Sequence, residues 1–238
     1  MVEILAALVL AVAGSWKTDT LSAPDGSKAA LVVPSGAPRG KAKGYPLVIW
    51  LHGGLGANNP AKGLQAAPGL AALADTGRFV LLAPSAWPAS PWWSTSARDR
   101  VLSLVEAASR RPGVDATRIV LSGASDGGTG ALWLAVALRG TWQGKLRGVA
   151  VWSTNPSVLE GRGAFLEESA LAGLAVRWRA GGRDRLFDPR DVAVWWDRLR
   201  ARGVVLDTGL DPMAGHDMAD HRADLANFPL WLEGRASR

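Results

Sequence analysis

The stretch RIVLSGASDGGTGALWLA, residues 118–135, constrains this chain more than any other. An apolar, β-branched run stops at Gly123, and Ser125 sits between Gly123 and Gly127 before an apolar helical pattern begins. Residues 118–123 read as a strand and 126–139 as a helix. A strand that becomes a helix this abruptly must turn sharply, and the residue at the apex takes an unfavourable backbone conformation. Gly123 and Gly127 leave open the space that side chains two residues to either side would fill. Such a turn lifts a hydroxyl clear of the sheet edge. It also aims the free amides of a helix N-terminus at any oxyanion formed beside it. The plainer reading is a glycine-rich turn in which Ser125 caps the helix.

Upstream and downstream of this break, apolar strand-like runs alternate with helix-like segments. Strands are expected at 46–52, 79–84, 118–123, 148–153, 174–180 and 203–208, and helices at 61–75, 97–111, 126–139, 189–202 and 217–233. The runs are nearly continuous in apolar residues, as in strands covered on both faces. A turn-rich segment, VPSGAPRGKAKGYP, sets off a hairpin over 15–33. The alternation predicts an α/β protein with a mostly parallel central sheet and helices on both faces. The short span between Ser153 and Leu174 leaves no room for a large lid there.

Composition removes several classes of function. With 48% hydrophobic and 20% charged residues over 238 positions, the chain suits one sizeable globular domain, placed at 14–238. A formal charge of +6 comes from scattered basic residues such as Arg98, Arg100, Arg110, Arg111, Arg118 and Arg139, which read as solvated helix faces. Nucleic acid requires a clustered footprint and is not expected as a partner. The chain has no cysteine, which excludes disulfides, zinc thiolates and a thiol nucleophile. Residues 1–13, MVEILAALVLAVA, resemble a secretory signal peptide without its basic start, so export to the periplasm or medium is expected if the segment is cleaved and a cytoplasmic location if it is not. That run is too short to span a bilayer, and no other segment is an integral membrane span.

The pentapeptide in its strand–turn–helix setting resembles the α/β-hydrolase family. Around it, Val114-Asp115-Ala116-Thr117-Arg118-Ile119 leads into the strand, and a tryptophan-containing segment and a helix come before that. Here the chain is similar to small esterases related to polyhydroxyalkanoate depolymerases, feruloyl esterases and carboxylesterases. It lacks the cysteines of many secreted depolymerases and has Ala124 where a bulkier residue is common. The resemblance covers about Tyr45 to Leu232 and implies an α/β-hydrolase fold with Ser125 as nucleophile.

It also implies where the partners lie. A second oxyanion donor is expected after the strand ending His52-Gly53-Gly54, with Gly54 favoured, Leu55 the alternative, and the amide of Asp126 as its companion. Serine needs a base. Of His52, His216 and His221, the loop LDPMAGHDM places His216 where the family has its base. His52 reads as a loop-fixing residue, and His221 as a solvent-facing residue of the last helix. An acid must orient the imidazole. In RWRAGGRDRLFDP, Asp184 matches the family's acid position, with Asp188 and then Asp211 as competitors.

Trp87, Trp92 and Trp93, in SAWPASPWWS, fall on the expected active-site edge. They read equally as a substrate-binding wall, with Leu55, or as loop packing. The expectation is a serine hydrolase of carboxylic esters, small or polymeric, needing no cofactor and no metal. A peptidase of the same fold and a non-catalytic binding module are the alternatives. The sequence sets no oligomeric state.

Overall fold

The computed structural model describes residues 16–35, 38, 44–55, 58–77, 79–87 and 89–236. The leader-like segment 1–13 lies outside them. Eight strands form one sheet: β1 (Trp16–Ser22), β2 (Lys28–Pro34), β3 (Tyr45–Leu51), β4 (Val80–Ala83), β5 (Val114–Ala124), β6 (Leu146–Trp152), β7 (Ala175–Gly181) and β8 (Val205–Asp211). Their spatial order is β1-β2-β4-β3-β5-β6-β7-β8. The first hairpin and the β2–β4 pair are antiparallel, and every pair from β4 to β8 is parallel.

Among the described residues there are six α-helices: α1 (Lys62–Gly77), α2 (Thr95–Ser109), α3 (Asp126–Ala137), α4 (Ser157–Glu160), α5 (Pro189–Ala201) and α6 (Arg222–Ala236). The period-two pleat of the strands divides the core between two faces. Leu47, Ile49 and Leu51 of β3 pack with residues of α2, α3 and α5, whereas Val48 and Trp50 pack with Ala67 and Ala71 of α1 and Phe228 and Leu232 of α6. The near-continuous apolar runs in the sequence follow from this covering of both faces. Between β6 and β7 the chain makes only α4 and a 3₁₀ turn at Glu168–Leu171.

The parallel arrangement has one consequence for function. The segments after Leu51, Ala124, Trp152, Gly181 and Asp211 all leave the sheet at the same edge, the usual place for ligand sites in open α/β sheets. Among the described residues, no helix is long and apolar enough to cross a membrane.

Several polar side chains are more buried than their sequence context implies. Arg100, expected on a solvated helix face, is 2% exposed and pairs with Asp25 between α2 and the first hairpin. Arg177 and Arg179 of β7 are bound to Asp207 of β8 and Asp224 of α6, and Asp224 also accepts the indole N–H of Trp152. This network attaches the last helix to the sheet.

Candidate active site

At the end of β5 the chain turns through Ser125 with φ 55° and ψ −129°. Among the described residues, only Ser125 and Ser153 are non-glycine residues at positive φ. Such a conformation costs of order 1–3 kcal/mol and persists only where its surroundings hold it. The Ser125 amide donates to Trp152 O at 3.0 Å. Its carbonyl accepts from the amides of Gly128 and Thr129 and from Thr154 Oγ1 at 2.9 Å. The flanking glycines are required sterically. A β-carbon at residue 127 would lie 1.9 Å from Leu51 O, and one at residue 123 would lie 2.6 Å from Gly127 C. Ser125 makes no side-chain cap to α3. Its hydroxyl is engaged elsewhere.

That partner is His216. Ser125 Oγ lies 3.0 Å from His216 Nε2, and His216 Nδ1 lies 2.8 Å from Asp184 Oδ2. A carboxylate can only accept, so Nδ1 carries the proton and Nε2 presents its lone pair to the serine hydroxyl. Asp184 is buried and held by the amides of Leu186 and Phe187, both donating to Oδ1 at 2.8 and 3.0 Å. Phe187 sets its ring edge-on against the imidazole at 5.3 Å. The acid and histidine loops are also joined through their backbones: Gly182 N donates to Asp211 O and Arg183 N to Ala214 O. Gly181 permits this approach, since a β-carbon there would be 2.2 Å from Gly215 O.

The competing carboxylates have other work. Asp188 caps α5, accepting from Arg190 N at 2.9 Å, and pairs with the Arg190 side chain, which lowers its carboxyl to about 2. Asp211 accepts from the amides of Met213 and Ala214 and shapes the turn before His216. His221 does not face solvent. It is 3% exposed, with Nε2 2.9 Å from Ser153 Oγ, because the 3₁₀ turn Met218–His221 folds it under the sheet edge.

The loop after β3 passes directly over the serine, and a β-carbon on Gly53 would lie 2.9 Å from Ser125 Cβ. Its carbonyls are held one by one. Trp92 Nε1 donates to His52 O at 2.9 Å. His52 Nε2 accepts the Ala86 N–H at 3.0 Å, so Nδ1 bears the proton and donates to Gly53 O at 3.0 Å. Burial lowers the His52 imidazole to about 4, which keeps it neutral. Lys62 Nζ donates to Gly54 O at 2.5 Å. The Leu55 amide, the alternative oxyanion donor in the sequence reading, donates to Asp126 Oδ2 at 3.0 Å. Gly54 has φ 65°, and Asp126 opens α3, whose first amides have no intrahelical partner.

The aromatic wall is mostly packing. Trp92 is fully buried against Gly130 with its N–H committed to His52, and Trp93 is buried with the Arg162 guanidinium over its ring. Trp87 is half-buried and carries Arg100 on one face at 4.6 Å. The buried Leu55 likewise has no exposed side chain for a substrate. The side chains of Lys62, Asp126, Ser153 and Thr154 are site features that sequence reasoning missed. Asp126, Ser153 and Thr154 reach partners 71, 68 and 29 positions away and Lys62 one eight away across a loop, and none leaves a local periodicity. Among the described residues, no group of three or more histidines or carboxylates is arranged to hold a metal ion.

No protein-family model and no curated protein matches this sequence. Its structure is nonetheless similar to those of several hydrolases. An esterase from Pyrobaculum calidifontis superposes with a TM-score of 0.73 at 16% identity, covering 99% of this chain and 90% of that one. A thermostable carboxylesterase from a metagenomic library gives 0.72 at 16% identity, covering 99% and 95%. An S-formylglutathione hydrolase from Staphylococcus aureus gives 0.66 at 13% identity, covering 92% and 96%. The chain has the α/β-hydrolase fold.

Proposed function

We propose that the protein is a serine hydrolase of carboxylic esters, with Ser125 as nucleophile, His216 as general base and Asp184 as the orienting acid. The observation that carries this reading is the Asp184–His216–Ser125 line of 2.8 and 3.0 Å contacts, ending on a serine at positive φ. The names of its structural neighbours, an esterase, a carboxylesterase and an S-formylglutathione hydrolase among them, support a hydrolase reading.

In this mechanism His216 Nε2 removes the hydroxyl proton as Ser125 Oγ attacks the acyl carbonyl. The amides of Gly54 and Asp126 stabilise the negative charge that develops on the carbonyl oxygen. His216 then protonates the departing alkoxide. A water deprotonated by the same imidazole attacks the acyl-enzyme, releases the acid and regenerates the serine. Asp184 stabilises the imidazolium at both steps.

The test is turnover of a panel of short acyl esters, a feruloyl ester and peptide anilides by the purified chain, with Ser125→Ala as control. Ester turnover that disappears in Ser125→Ala is expected. Faster cleavage of anilides than of esters would replace the esterase reading with a peptidase, and no turnover of any substrate would leave the binding-module reading.

A further inference from the structure

Gly54 O and Leu55 N belong to one planar peptide unit. Lys62 holds the carbonyl end of that unit, and the Asp126 carboxylate, supplied by the turn that carries Ser125, holds the N–H end. The two grips come from different elements: Lys62 begins α1 and Asp126 begins α3. They also sense each other. Partial burial lowers the Lys62 ammonium from its ordinary value, and the negative charge of Asp126 opposes that shift.

We propose that Asp126 and Lys62 form a clamp that fixes the Gly54–Leu55 peptide and so anchors the end of the loop whose Gly54 amide, on the preceding peptide held by His52, is aimed at the oxyanion. Both side chains are positioning residues in this account, which rests on the hydrolase reading above. Gly54 has no β-carbon to restrict its torsions and sits at φ 65°, so a glycine-rich loop released from the clamp is free to rotate this peptide. Rotation would carry Gly54 O toward the Asp126 carboxylate and shift the loop at Gly54, moving the Gly54 amide off the developing negative charge. His52 and Trp92 secure the two peptides before it, and the clamp completes the series at the point where the loop leaves the serine.

The clamp predicts a particular kinetic pattern. Loss of a whole oxyanion donor costs about 100- to 1000-fold in kcat, and loss of its orientation is expected to cost about 10- to 100-fold. Asp126→Ala and Lys62→Ala should each lower kcat in that range, with KM for a short acyl ester within about 3-fold of wild type. Asp126→Asn keeps an oxygen acceptor for the Leu55 amide and should recover most of kcat. The double variant Asp126→Ala/Lys62→Ala should be no more than about 3-fold worse than the poorer single variant, because both grips hold one peptide.

Unchanged kcat in both single variants, or losses that multiply in the double variant, would overturn the clamp. If Asp126→Ala does not fold, the Lys62→Ala result and its KM-against-kcat split decide alone. Ser125→Ala separates the two claims. Turnover surviving there overturns Ser125 as the nucleophile, on which the clamp rests, whereas turnover lost there but intact in the clamp variants overturns the clamp only.

Discussion

Two serine–histidine pairs stand at the ends of neighbouring strands, Ser125 with His216 after β5 and Ser153 with His221 after β6. Their oxygen–nitrogen distances are 3.0 and 2.9 Å, and both serines have positive φ, 55° and 44°. The surroundings differ. Ser153 and His221 are 2% and 3% exposed, and the Ser153 amide is tied to Arg179 O on β7. Ser125 and His216 are only partly buried, His216 has the Asp184 carboxylate on its second nitrogen, and α3 starts at the very next residue. The comparison teaches that a hydroxyl–imidazole contact is not a functional signature by itself. Access, an orienting acid and waiting amides distinguish a candidate nucleophile from a strut that fastens the segment after His216.

The largest expected difference between the pairs is catalytic. In the proposed mechanism, Ser125→Ala and His216→Ala remove ester turnover by about 10⁴-fold or more, and Asp184→Asn approaches the same loss. Ser153→Ala, measured in the same assay, should stay within about 5-fold of wild type. Loss of turnover in the Ser153 variant with Ser125→Ala still active would invert the assignment.

The next effect tests the glycine-lined approach that only the Ser125 turn has. Gly127→Ala drives a β-carbon into backbone at Leu51 O, where no side chain can move aside. A destabilisation of more than about 4 kcal/mol, or failure to fold, is expected in urea denaturation. A Gly127→Ala protein of wild-type stability would contradict the packing described for this turn.

A third histidine sharpens the contrast through pH. His52 has an ordinary pKa of 6.5, lowered by burial to about 4. Between those values the unfolded chain binds the extra proton, so stability falls as pH drops through this window, by about 3 kcal/mol in total. The contribution is fully present above pH 6.5. Replacing His52 with Gln should flatten this part of the pH–stability curve, as read by denaturant midpoints from pH 4 to 7. A curve of unchanged slope would show that His52 does not set it.

The smallest effect belongs to the buried pair. Ser153→Ala strands a buried imidazole nitrogen and should cost about 1–3 kcal/mol. Calorimetry of this variant alongside the Ser125→Ala protein gives the comparison. The Ser125 replacement relieves no positive-φ strain, since alanine inherits the same backbone, and it should move the midpoint less.

Much of this organisation was legible in the sequence, because it rests on local patterns. The strands appear as continuous apolar runs, and the break at Gly123–Gly127 marks the turn through its steric demand. Asp184 and His216 each sit in a turn after a strand, in the order expected by resemblance. What the sequence did not convey are contacts made by polar side chains across the sheet. His221 has the same local surroundings as an exposed helix residue until the 3₁₀ turn folds it inward. Arg100 lies among polar helix neighbours, and only the first hairpin supplies Asp25 to bury it. The hold of Asp126 on Leu55 spans 71 positions and has no periodic trace. Trp92 and Trp93 were ambiguous for a related reason: an aromatic at a strand end looks the same whether it faces a substrate or fills the space above a glycine such as Gly130.

The most direct measurement is the site of covalent capture by a fluorophosphonate, read by intact mass and peptide mapping on the wild-type chain, Ser125→Ala and Ser153→Ala. The account predicts a single adduct on Ser125 in wild type and in Ser153→Ala, and none in Ser125→Ala. An adduct on Ser153, or labelling that persists without Ser125, would contradict it.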